Sequence, residues 1–344
     1  MTARAARPHA IVVGGGPAGC ATAWRLARAG AKVLLLDRAR FPRDKACAEY
    51  LSPEASRLLA DMGALERVER AGAAQLAGML VRAPSGATIR GEFAAAHGFH
   101  AFRDRGLAIR RTRLDAELLE TAREGGVTVR EGVRAAALVR DGDGRVRGVE
   151  TIDAGGRRVA LLADLVIGAD GLRSVVARRL GLARASALPR RVAVVGHYAG
   201  VLGLGEMGEM HVERDGYCGM ANVGLGESNL AVVVPAGHAR AMAGDPAGFL
   251  DQWVARHPQL RRRFRRARRL GRALVTGPFA HHARRAWAPG AALVGDAADY
   301  FDPFTGEGIY AALRGAELLA PAALAALGAP STRAADRALA SYHA

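Results

Sequence analysis

Short, uninterrupted apolar runs mark the first predicted unit of the chain. Residues 11–13 predict a strand that is buried on both faces, and residues 18–29 predict a helix that ends before Gly30. Residues 32–36 predict a second buried strand, which leads to Asp37. A strand, a glycine turn, a helix and a second strand in this order are typical of a parallel sheet with a crossover helix.

The middle of the chain follows a different pattern, in which apolar and polar residues alternate. Residues 75–93 alternate on both sides of a turn signal at 84–86, and residues 191–234 contain four strand-like stretches. Residues 127–149 alternate around a turn at 141–144 and predict a small antiparallel ribbon. These patterns predict an antiparallel sheet beside the parallel one.

Buried runs return late in the chain. Residues 163–168 and 291–296 each predict another buried strand, and residues 305–308 open a last helix that extends to residue 319. Further predicted helices span residues 54–62, 112–123 and 246–256, and another follows Ser174 and extends to residue 180. The fold class is therefore α/β, with a mixed parallel sheet interwoven with an antiparallel sheet.

The turn after the first strand carries the spacing G-x-G-x-x-G. Gly14 permits the tight turn, Gly16 lets the backbone approach a pyrophosphate, and Gly19 lets the helix pack on the sheet. The helix N-terminus favours phosphates because its N–H groups are unpaired and its dipole end is positive. Asp37 stands where a carboxylate accepts a hydrogen bond from a ribose hydroxyl. The predicted nucleotide-binding residues here are Gly14, Gly16, Pro17, Ala18, Gly19, Asp37 and Arg38.

A second G-x-G-x-x-G at residues 203–208 lacks this context. The residues that follow it, 209–213, alternate like a strand, and no helix opens there. We interpret it as a glycine-rich loop before a sheet strand.

The charge of the chain comes from arginine. The formal net charge is +16, and only Lys32 and Lys45 are lysines. A GC-rich genome gives this bias without a polyanionic partner, so we expect no nucleic-acid binding. Residues 261–270 predict an arginine-rich helix with an apolar stripe at 260, 264, 267 and 270. A plain solvated face is the simpler interpretation, and peripheral contact with an anionic membrane that supplies a lipophilic substrate is the alternative.

Cysteine spacing and hydropathy narrow the remaining classes. Cys20, Cys47 and Cys218 lack metal-ligand spacing, so we expect neither a metal site nor a disulfide framework. No run reaches the roughly 18 uninterrupted apolar residues of a membrane span, and the residues before the first strand are too few for a signal peptide. We therefore expect a cytoplasmic enzyme.

Two later motifs join the glycine turn. Asp170-Gly171 follows a buried strand, and Gly295-Asp296 follows another, with Pro303, Gly306 and Gly308 leading into the last helix. With Arg111 in the pattern R-x-x-L-D, these motifs resemble the FAD-dependent oxidoreductases of the para-hydroxybenzoate hydroxylase and geranylgeranyl reductase superfamily. The resemblance covers nearly the whole chain.

The resemblance implies noncovalent FAD in a Rossmann-like domain built as a ββα sandwich. It implies that Asp37 binds the ADP half, that Asp170 lies near the pyrophosphate and that Asp296 binds the ribityl chain. It also implies that Arg111 reaches the cofactor and that the last helix faces the pyrimidine end of the flavin. With the resemblance, residues 1–74, 105–180 and 272–344 are predicted to form the FAD-binding domain. The substrate-binding domain is predicted from residues 75–104 and 181–271.

The sequence departs from the reductase branch of this superfamily. Cys47-Ala48-Glu49 replaces the usual C-G-E, and Gly219 and Asn222 stand where reductases carry tryptophan and proline. We expect the loss of the tryptophan to widen the pocket above the flavin. The halogenase pattern W-x-W-x-I-P is absent. In D-G-x-x-S-x-x-R, Ser174 is in place, but Ala177 occupies the arginine position.

The leading functional hypothesis is a monooxygenase in which NAD(P)H, bound transiently, reduces FAD and oxygen hydroxylates a bulky aromatic or polyketide-like substrate. The alternative is saturation of isoprenoid double bonds by hydride from reduced FAD and a proton from a side chain, and a flavin-binding protein without turnover is a third class. The candidate pocket acids are Cys47, Glu49, His211 and Tyr217. We expect a monomer or homodimer. Relatives usually continue with another basic helix beyond the position of Ala344, so we expect a short or a shortened member.

Overall fold

The computed structural model describes residues 9–95, 98, 100–185, 190–300 and 302–342. Its centre is a six-stranded sheet with the order Trp287–Ala288, Ala291–Leu293, Leu165–Gly168, Ala10–Val13, Val33–Asp37 and Thr128–Glu131. All neighbouring pairs are parallel except the first, which is antiparallel. The sheet confirms the predicted parallel arrangement of the apolar runs.

Different layers cover the two faces of this sheet. On one face, the helices Pro17–Arg28, Arg111–Glu124 and Gly308–Leu327 contribute to the largest apolar core. On the other face, the antiparallel sheet of Arg134–Arg140, Val146–Ile152 and Arg158–Leu162 covers the strands. Sheet, sheet and helices therefore form the predicted ββα sandwich.

A seven-stranded sheet forms the second large layer. Its order is Arg268–Thr276, Arg191–Ala199, Glu227–Pro235, Gly216–Gly224, Met207–Glu213, Gly78–Arg82 and Thr88–Glu92. The predicted hairpin at 75–93 and the four predicted strands within 191–234 all belong to it. One pair, Met207–Glu213 with Gly78–Arg82, is parallel, so the prediction of a purely antiparallel sheet needs this correction. A parallel pair requires a long connection, and these two segments are far apart in the sequence.

The other elements are short. Two further three-stranded sheets join Tyr50–Leu51, Gly106–Ala108 and Ala74–Leu76, and Ala183–Ala185, His281–Ala283 and Asp299–Tyr300. The remaining α-helices span Pro53–Asp61, Leu65–Arg70, Val175–Arg179, Ala239–Gly244, Pro246–Arg256, Pro258–Phe264 and Thr332–Ala340.

The arginine-rich helix is shorter than predicted. It spans Pro258–Phe264, and Arg268–Thr276 is already a strand of the seven-stranded sheet. Leu270 therefore pairs with His197 across two strands instead of continuing a helical stripe. This strand also crosses the boundary predicted between residues 271 and 272, and the division into two domains stays a prediction.

The last long helix is a core helix. Gly308–Leu327 has the length and the mean hydropathy, 1.3, of a membrane span. However, Ile309, Leu313 and Leu319 are buried in the core that it shares with Pro17–Arg28. The helix runs beyond the predicted end at residue 319 because its apolar face stays covered as far as Ala323.

Candidate active site

A cavity of about 460 Å³ opens between the two large sheets. The N-termini of the helices Pro17–Arg28 and Gly308–Leu327 both border it, and neither helix has a side-chain cap on its first N–H groups. The predicted site residues that line it are Gly16, Pro17, Ala18, Cys47, Glu49, Arg111, Tyr217, Gly295, Asp296, Pro303, Gly306 and Gly308. Gly14, Gly19, Asp37, Arg38, Asp170 and His211 lie outside this lining.

The glycine turn is closed at two positions and open at the third. Gly14 has a φ of +108°, and a Cβ there would lie 2.3 Å from the carbonyl oxygen of Ala169. A Cβ on Gly19 would lie 1.8 Å from the carbonyl oxygen of Gly14. At Gly16 a Cβ would meet only two guanidinium nitrogens, of Arg43 and Arg111, each at 3.8 Å. The open position therefore faces positive charge, as a bound pyrophosphate requires.

Asp37 is buried at the end of its strand and supports the turn. Its Oδ2 accepts the N–H of Gly15 at 2.7 Å, and its Oδ1 accepts the N–H of Ala39 at 2.8 Å. Each oxygen keeps a lone pair for a ribose hydroxyl. Arg38, by contrast, is exposed.

Arg111 is buried and held in a fixed direction. Its Nε and Nη2 donate to the two oxygens of Asp115 at 2.7 and 2.8 Å. Burial lowers the pKa of this guanidinium, but the Asp115 carboxylate and the Cys47 sulfur together outweigh burial, so the net shift in pKa is upward. Arg43 lies 3.0 Å from Asp115 and adds a second positive charge beside Gly16.

The two carboxylate oxygens of Asp170 differ in their hydrogen bonding. Oδ2 accepts the N–H groups of Val175 at 2.6 Å and Val176 at 3.3 Å, whereas the buried Oδ1 has no hydrogen-bond partner within the described residues. Burial raises the pKa of this carboxyl group. A buried, unpartnered oxygen beside a predicted cofactor site indicates a missing polar ligand group.

The segment after the strand Ala291–Leu293 brings the third motif to the cavity. A Cβ on Gly295 would lie 2.8 Å from the Cβ of Ala18, so the segment packs closely on the glycine-turn helix. Asp296 faces Lys45, whose Nζ lies 3.5 Å from Oδ2. Gly306 has a φ of +73° and turns the chain into the helix that begins at Gly308.

Cys47 and Glu49 reach the same cavity from the loop before Tyr50–Leu51. Cys47 is half-buried, and its Sγ accepts the N–H of Glu49 at 3.2 Å. The Cys47 sulfur also lies close enough to Arg111 to raise the pKa of that guanidinium. Glu49 is 1% exposed and accepts hydrogen bonds on both oxygens, so it is a fully partnered buried group.

Tyr217 lines the cavity, and its hydroxyl already donates a hydrogen bond within the protein. Its hydroxyl donates to Oδ1 of Asp302 at 2.6 Å, and Nη1 of Arg191 donates to Oδ2 of the same carboxylate at 2.8 Å. Burial raises the pKa of the phenol, and the charge of Asp302 raises it further. Tyr217 therefore joins the seven-stranded sheet to the loop that precedes Gly308–Leu327.

His211 does not reach the cavity, and its prediction as a pocket acid requires correction. It pairs with Cys218 across the sheet, whereas Met210 pairs with Gly219 and lines the cavity. Neighbouring residues of a strand point to opposite faces, so His211 lies on the far face. There its Nε2 lies 2.9 Å from Oε2 of Glu209, which also binds Arg263.

Sequence reasoning missed several residues of the site. Asp115 stands in the R-x-x-L-D pattern, and Arg43 and Lys45 stand in the charged loop before Cys47, so both segments carried a signal. His197 and Asn229, which bind Glu49, are single polar residues in apolar strands and carried no motif.

Comparison with known sequences is consistent with this geometry. The family described as FAD binding domain matches residues 7–344. The chain belongs to this family. It is therefore an FAD-dependent oxidoreductase, and it lies within the superfamily that the three motifs indicate.

Named relatives differ in activity. A menaquinone reductase from Mycolicibacterium smegmatis is 30% identical over 88% of this chain and 73% of its own length. A digeranylgeranylglycerophospholipid reductase from Methanosarcina mazei is 28% identical over 93% of this chain and 75% of its own length. A 6-methylpretetramide 4-monooxygenase from Streptomyces rimosus is 33% identical over 52% of this chain and 41% of its own length. The chain spans 61% of another relative, the conditioned medium factor receptor 1 of Dictyostelium discoideum.

Solved structures share the fold. The myxobacterial chondrochloren halogenase CndH superposes with a TM-score of 0.88 and 25% identity, over 97% of this chain and 78% of its own. A geranylgeranyl bacteriochlorophyll reductase-like protein from Thermoplasma acidophilum superposes with a TM-score of 0.82 and 22% identity, over 98% and 82%.

The residues present fit FAD. Gly16 leaves room beside two guanidinium groups, and Asp170 offers an unpartnered buried oxygen. The helix Gly308–Leu327 presents uncapped N–H groups to the cavity, which favours negative charge on a bound ring. Glycine turn, acidic strand end and second helix N-terminus thus supply sites for the two halves of the cofactor.

Proposed function

We propose that this protein is an NAD(P)H-dependent FAD monooxygenase that hydroxylates a bulky aromatic or polyketide-like molecule. The observation that carries the proposal is the shape of the sheet wall opposite the cofactor site. Ala193, Gly219 and Ala231 line it, and a Cβ on Gly219 would meet no side chain closer than 3.8 Å, at Cε of Met210. Gly219 and Ala231 are cross-strand partners, and the small residues of this wall leave room for a wide ring system.

FAD, when bound, supplies the redox chemistry. The chain's own residues bind, orient and enclose. Uncapped helix N-termini and the Arg43 and Arg111 guanidinium groups favour the negative charge of the phosphates and of a reduced ring. Apolar wall residues such as Val195, Val233 and Phe279 exclude water from the reacting face.

The hydrogen bonds of the candidate cavity acids also favour hydroxylation over double-bond saturation. Saturation of a double bond requires a side chain that delivers a proton to carbon. Tyr217 already donates its proton to Asp302, Glu49 is fully partnered, and His211 lies on the other face. Only Cys47, of the four predicted acids, lines the cavity without donating to a described protein acceptor.

Saturation of isoprenoid double bonds is the second candidate, and Cys47 is the observation that favours it. A thiol beside the Arg111 guanidinium can lose a proton to substrate and keep the resulting charge paired. The reductases named above also match most of this chain, whereas the monooxygenase matches about half.

Oxygen dependence tests the proposal. The purified, FAD-loaded protein is mixed with NADH or NADPH, in air and under strict anaerobiosis, with phenolic polycycles and with an isoprenoid alkene. We expect continuous NAD(P)H consumption only in air, with hydrogen peroxide released when no substrate is present. Anaerobic turnover that saturates the alkene would establish the second candidate. Absence of NAD(P)H oxidation with every substrate would favour a flavin-binding protein without turnover.

A further inference from the structure

Two polar residues of the seven-stranded sheet hold the loop that carries Cys47 and Glu49. His197 and Asn229 are cross-strand neighbours, and each is 2% exposed. Nε2 of His197 lies 2.8 Å from Oε2 of Glu49, and Nδ2 of Asn229 donates to the same oxygen at 2.9 Å. The Asn229 amide also donates to the carbonyl oxygen of Cys47 at 3.0 Å.

The loop needs this support because its backbone is unusual. Glu49 has a φ of +64°, a left-handed backbone conformation that residues other than glycine seldom adopt. Its carboxylate is also buried, which is costly without partners. Besides the two sheet residues, the N–H of Arg111 donates to Oε1 of Glu49 at 2.8 Å. A strained backbone beside a cavity persists only where its surroundings fix it, and such positions cluster at functional sites.

The direction of the sheet places this support at the reacting face. His197 lies on the same strand face as Ala193 and Val195, which line the cavity, and Asn229 lies on the same face as Ala231 and Val233. The loop that these residues hold contributes residues 45–49 to the cavity lining. One end of the sheet wall, at His197 and Asn229, therefore fixes the loop, and the rest of the wall lines the substrate space.

We propose that His197 and Asn229 are positioning residues for the FAD-dependent reaction, which act by fixing Cys47 and Glu49 against the cofactor. The proposal rests on the oxidoreductase reaction at this cavity, and it applies to hydroxylation and to double-bond reduction alike. Neither residue touches the reacting atoms in this arrangement. Each acts through Glu49 and, for Asn229, through the backbone of Cys47.

The chain contains a matched control. His211 is also a buried histidine of the same sheet, 5% exposed, and it also lies 2.9 Å from a glutamate oxygen. It differs in facing away from the cavity. Comparing His197→Leu with His211→Leu therefore separates the position of the pair from the cost of losing a buried histidine.

The experiment uses the full chain loaded with FAD. His197→Leu, Asn229→Ala, the conservative His197→Gln and the control His211→Leu are compared with the parent. Hydrogen–deuterium exchange is followed in peptides that cover residues 47–51 and 109–112. The rate constant for anaerobic reduction of bound FAD is measured by stopped flow against NADPH concentration.

We expect exchange in these peptides to become about tenfold faster in His197→Leu and Asn229→Ala, because each loses a hydrogen bond to a charged group. The limiting rate constant for reduction should fall by a similar factor, while the half-saturating NADPH concentration and the FAD affinity stay within about twofold of the parent. His197→Gln, whose amide can donate to Glu49, should restore both, and His211→Leu should resemble the parent.

Exchange at the parent rate in both His197→Leu and Asn229→Ala would overturn the proposal. So would faster exchange without a change in the rate constant, or equal effects of His197→Leu and His211→Leu. If NADPH reduces none of the proteins, the reductant in the proposed function is wrong. In that case reduction by dithionite replaces the rate measurement, and the exchange data decide the positioning claim.

Discussion

The glycine turn and the sheet wall enclose one cavity, but the chain specifies them in opposite ways. At Gly14 and Gly19 the backbone itself excludes a side chain, with 2.3 and 1.8 Å left for a Cβ. At Gly219 the space is open, and the nearest side-chain atom would lie 3.8 Å away. The first region is fixed by the close approach of backbone to backbone, and the second by the sizes of side chains.

This difference explains what each region can do. A backbone cradle binds the phosphates of FAD, which are the same whatever the substrate is. The backbone geometry of the cradle therefore tolerates little change. A wall of small side chains can be refilled without disturbing the fold, so it can determine which substrate enters. Changes in the two regions should therefore affect cofactor binding and substrate choice separately.

The largest effect should come from Gly19→Ala. The new methyl group would overlap the carbonyl oxygen of Gly14 at 1.8 Å, and this oxygen belongs to the backbone and cannot rotate away as a side chain would. Because the turn must open, we expect near-complete loss of bound FAD, measured from the flavin absorbance of the purified protein. Gly205→Ala, in the second glycine motif, has no atom within 4 Å of the added Cβ and should keep FAD. Equal retention of FAD by both variants would contradict the comparison.

The two glycine motifs also show what could be predicted from the sequence. Residues 14–16 lie between a strand and a helix, and residues 17–19 begin that helix, so the motif and the elements around it supported the same prediction. The same spacing at 203–208 leads into the strand Met207–Glu213, as its alternation predicted. Backbone-determined features leave glycine, proline and periodicity in the sequence, and these signals were readable.

Side-chain networks leave no such signal. His197 meets Glu49 across 148 positions of the chain, and nothing in either local sequence indicates the other. His211 was predicted to lie in the pocket, but its position in the strand places it on the far face of the sheet. A shift of one residue along a strand moves a side chain to the opposite face, and the sequence alone does not fix this position. The prediction of a helix at 261–270 was wrong beyond Phe264, because the chain turns at residues 265–266 and then forms the strand Arg268–Thr276.

The next effect should come from the acidic residues of the cofactor site. Asp296→Ala removes a charged acceptor for the ribityl hydroxyls, which contributes about 1.5–3 kcal/mol, so FAD affinity should fall roughly 10-fold to 100-fold. Asp299→Ala should change it less, since Asp299 is exposed and pairs in a strand with His282. Titration of the apoproteins with FAD measures the affinity of both variants. An affinity equal to that of the parent in both variants would contradict the assignment of the ribityl chain to this site.

A smaller and more selective effect should follow from refilling the wall. Gly219→Trp places a large ring where the cavity is open, so kcat/KM for wide ring substrates should fall at least about tenfold, by the loss of about 1.4 kcal/mol of transition-state binding. FAD affinity should stay at the parent value. A fall in FAD affinity instead would show that this part of the cavity belongs to the cofactor.

The smallest effect concerns the far face of the sheet. Burial would raise the pKa of Glu209, but hydrogen bonds from His211 and Arg263 outweigh it and lower the pKa from 4.5 to about 2. A pKa that is lowered on folding stabilises the protein above pH 4.5, and this stability is lost as the pH falls toward 2. Between pH 7 and pH 4 the parent should lose about 1 kcal/mol more than Glu209→Gln, measured by urea unfolding. Parallel pH profiles would contradict this.

Labelled oxygen tests the central claim most directly. The FAD-loaded protein is supplied with NADPH, a phenolic polycyclic substrate that accelerates NADPH consumption, and oxygen-18 gas in unlabelled water. We expect a product that carries one labelled oxygen atom, because the wide wall admits a ring system for hydroxylation. A product that contains no label and has gained two hydrogen atoms, formed equally well without oxygen, would contradict it.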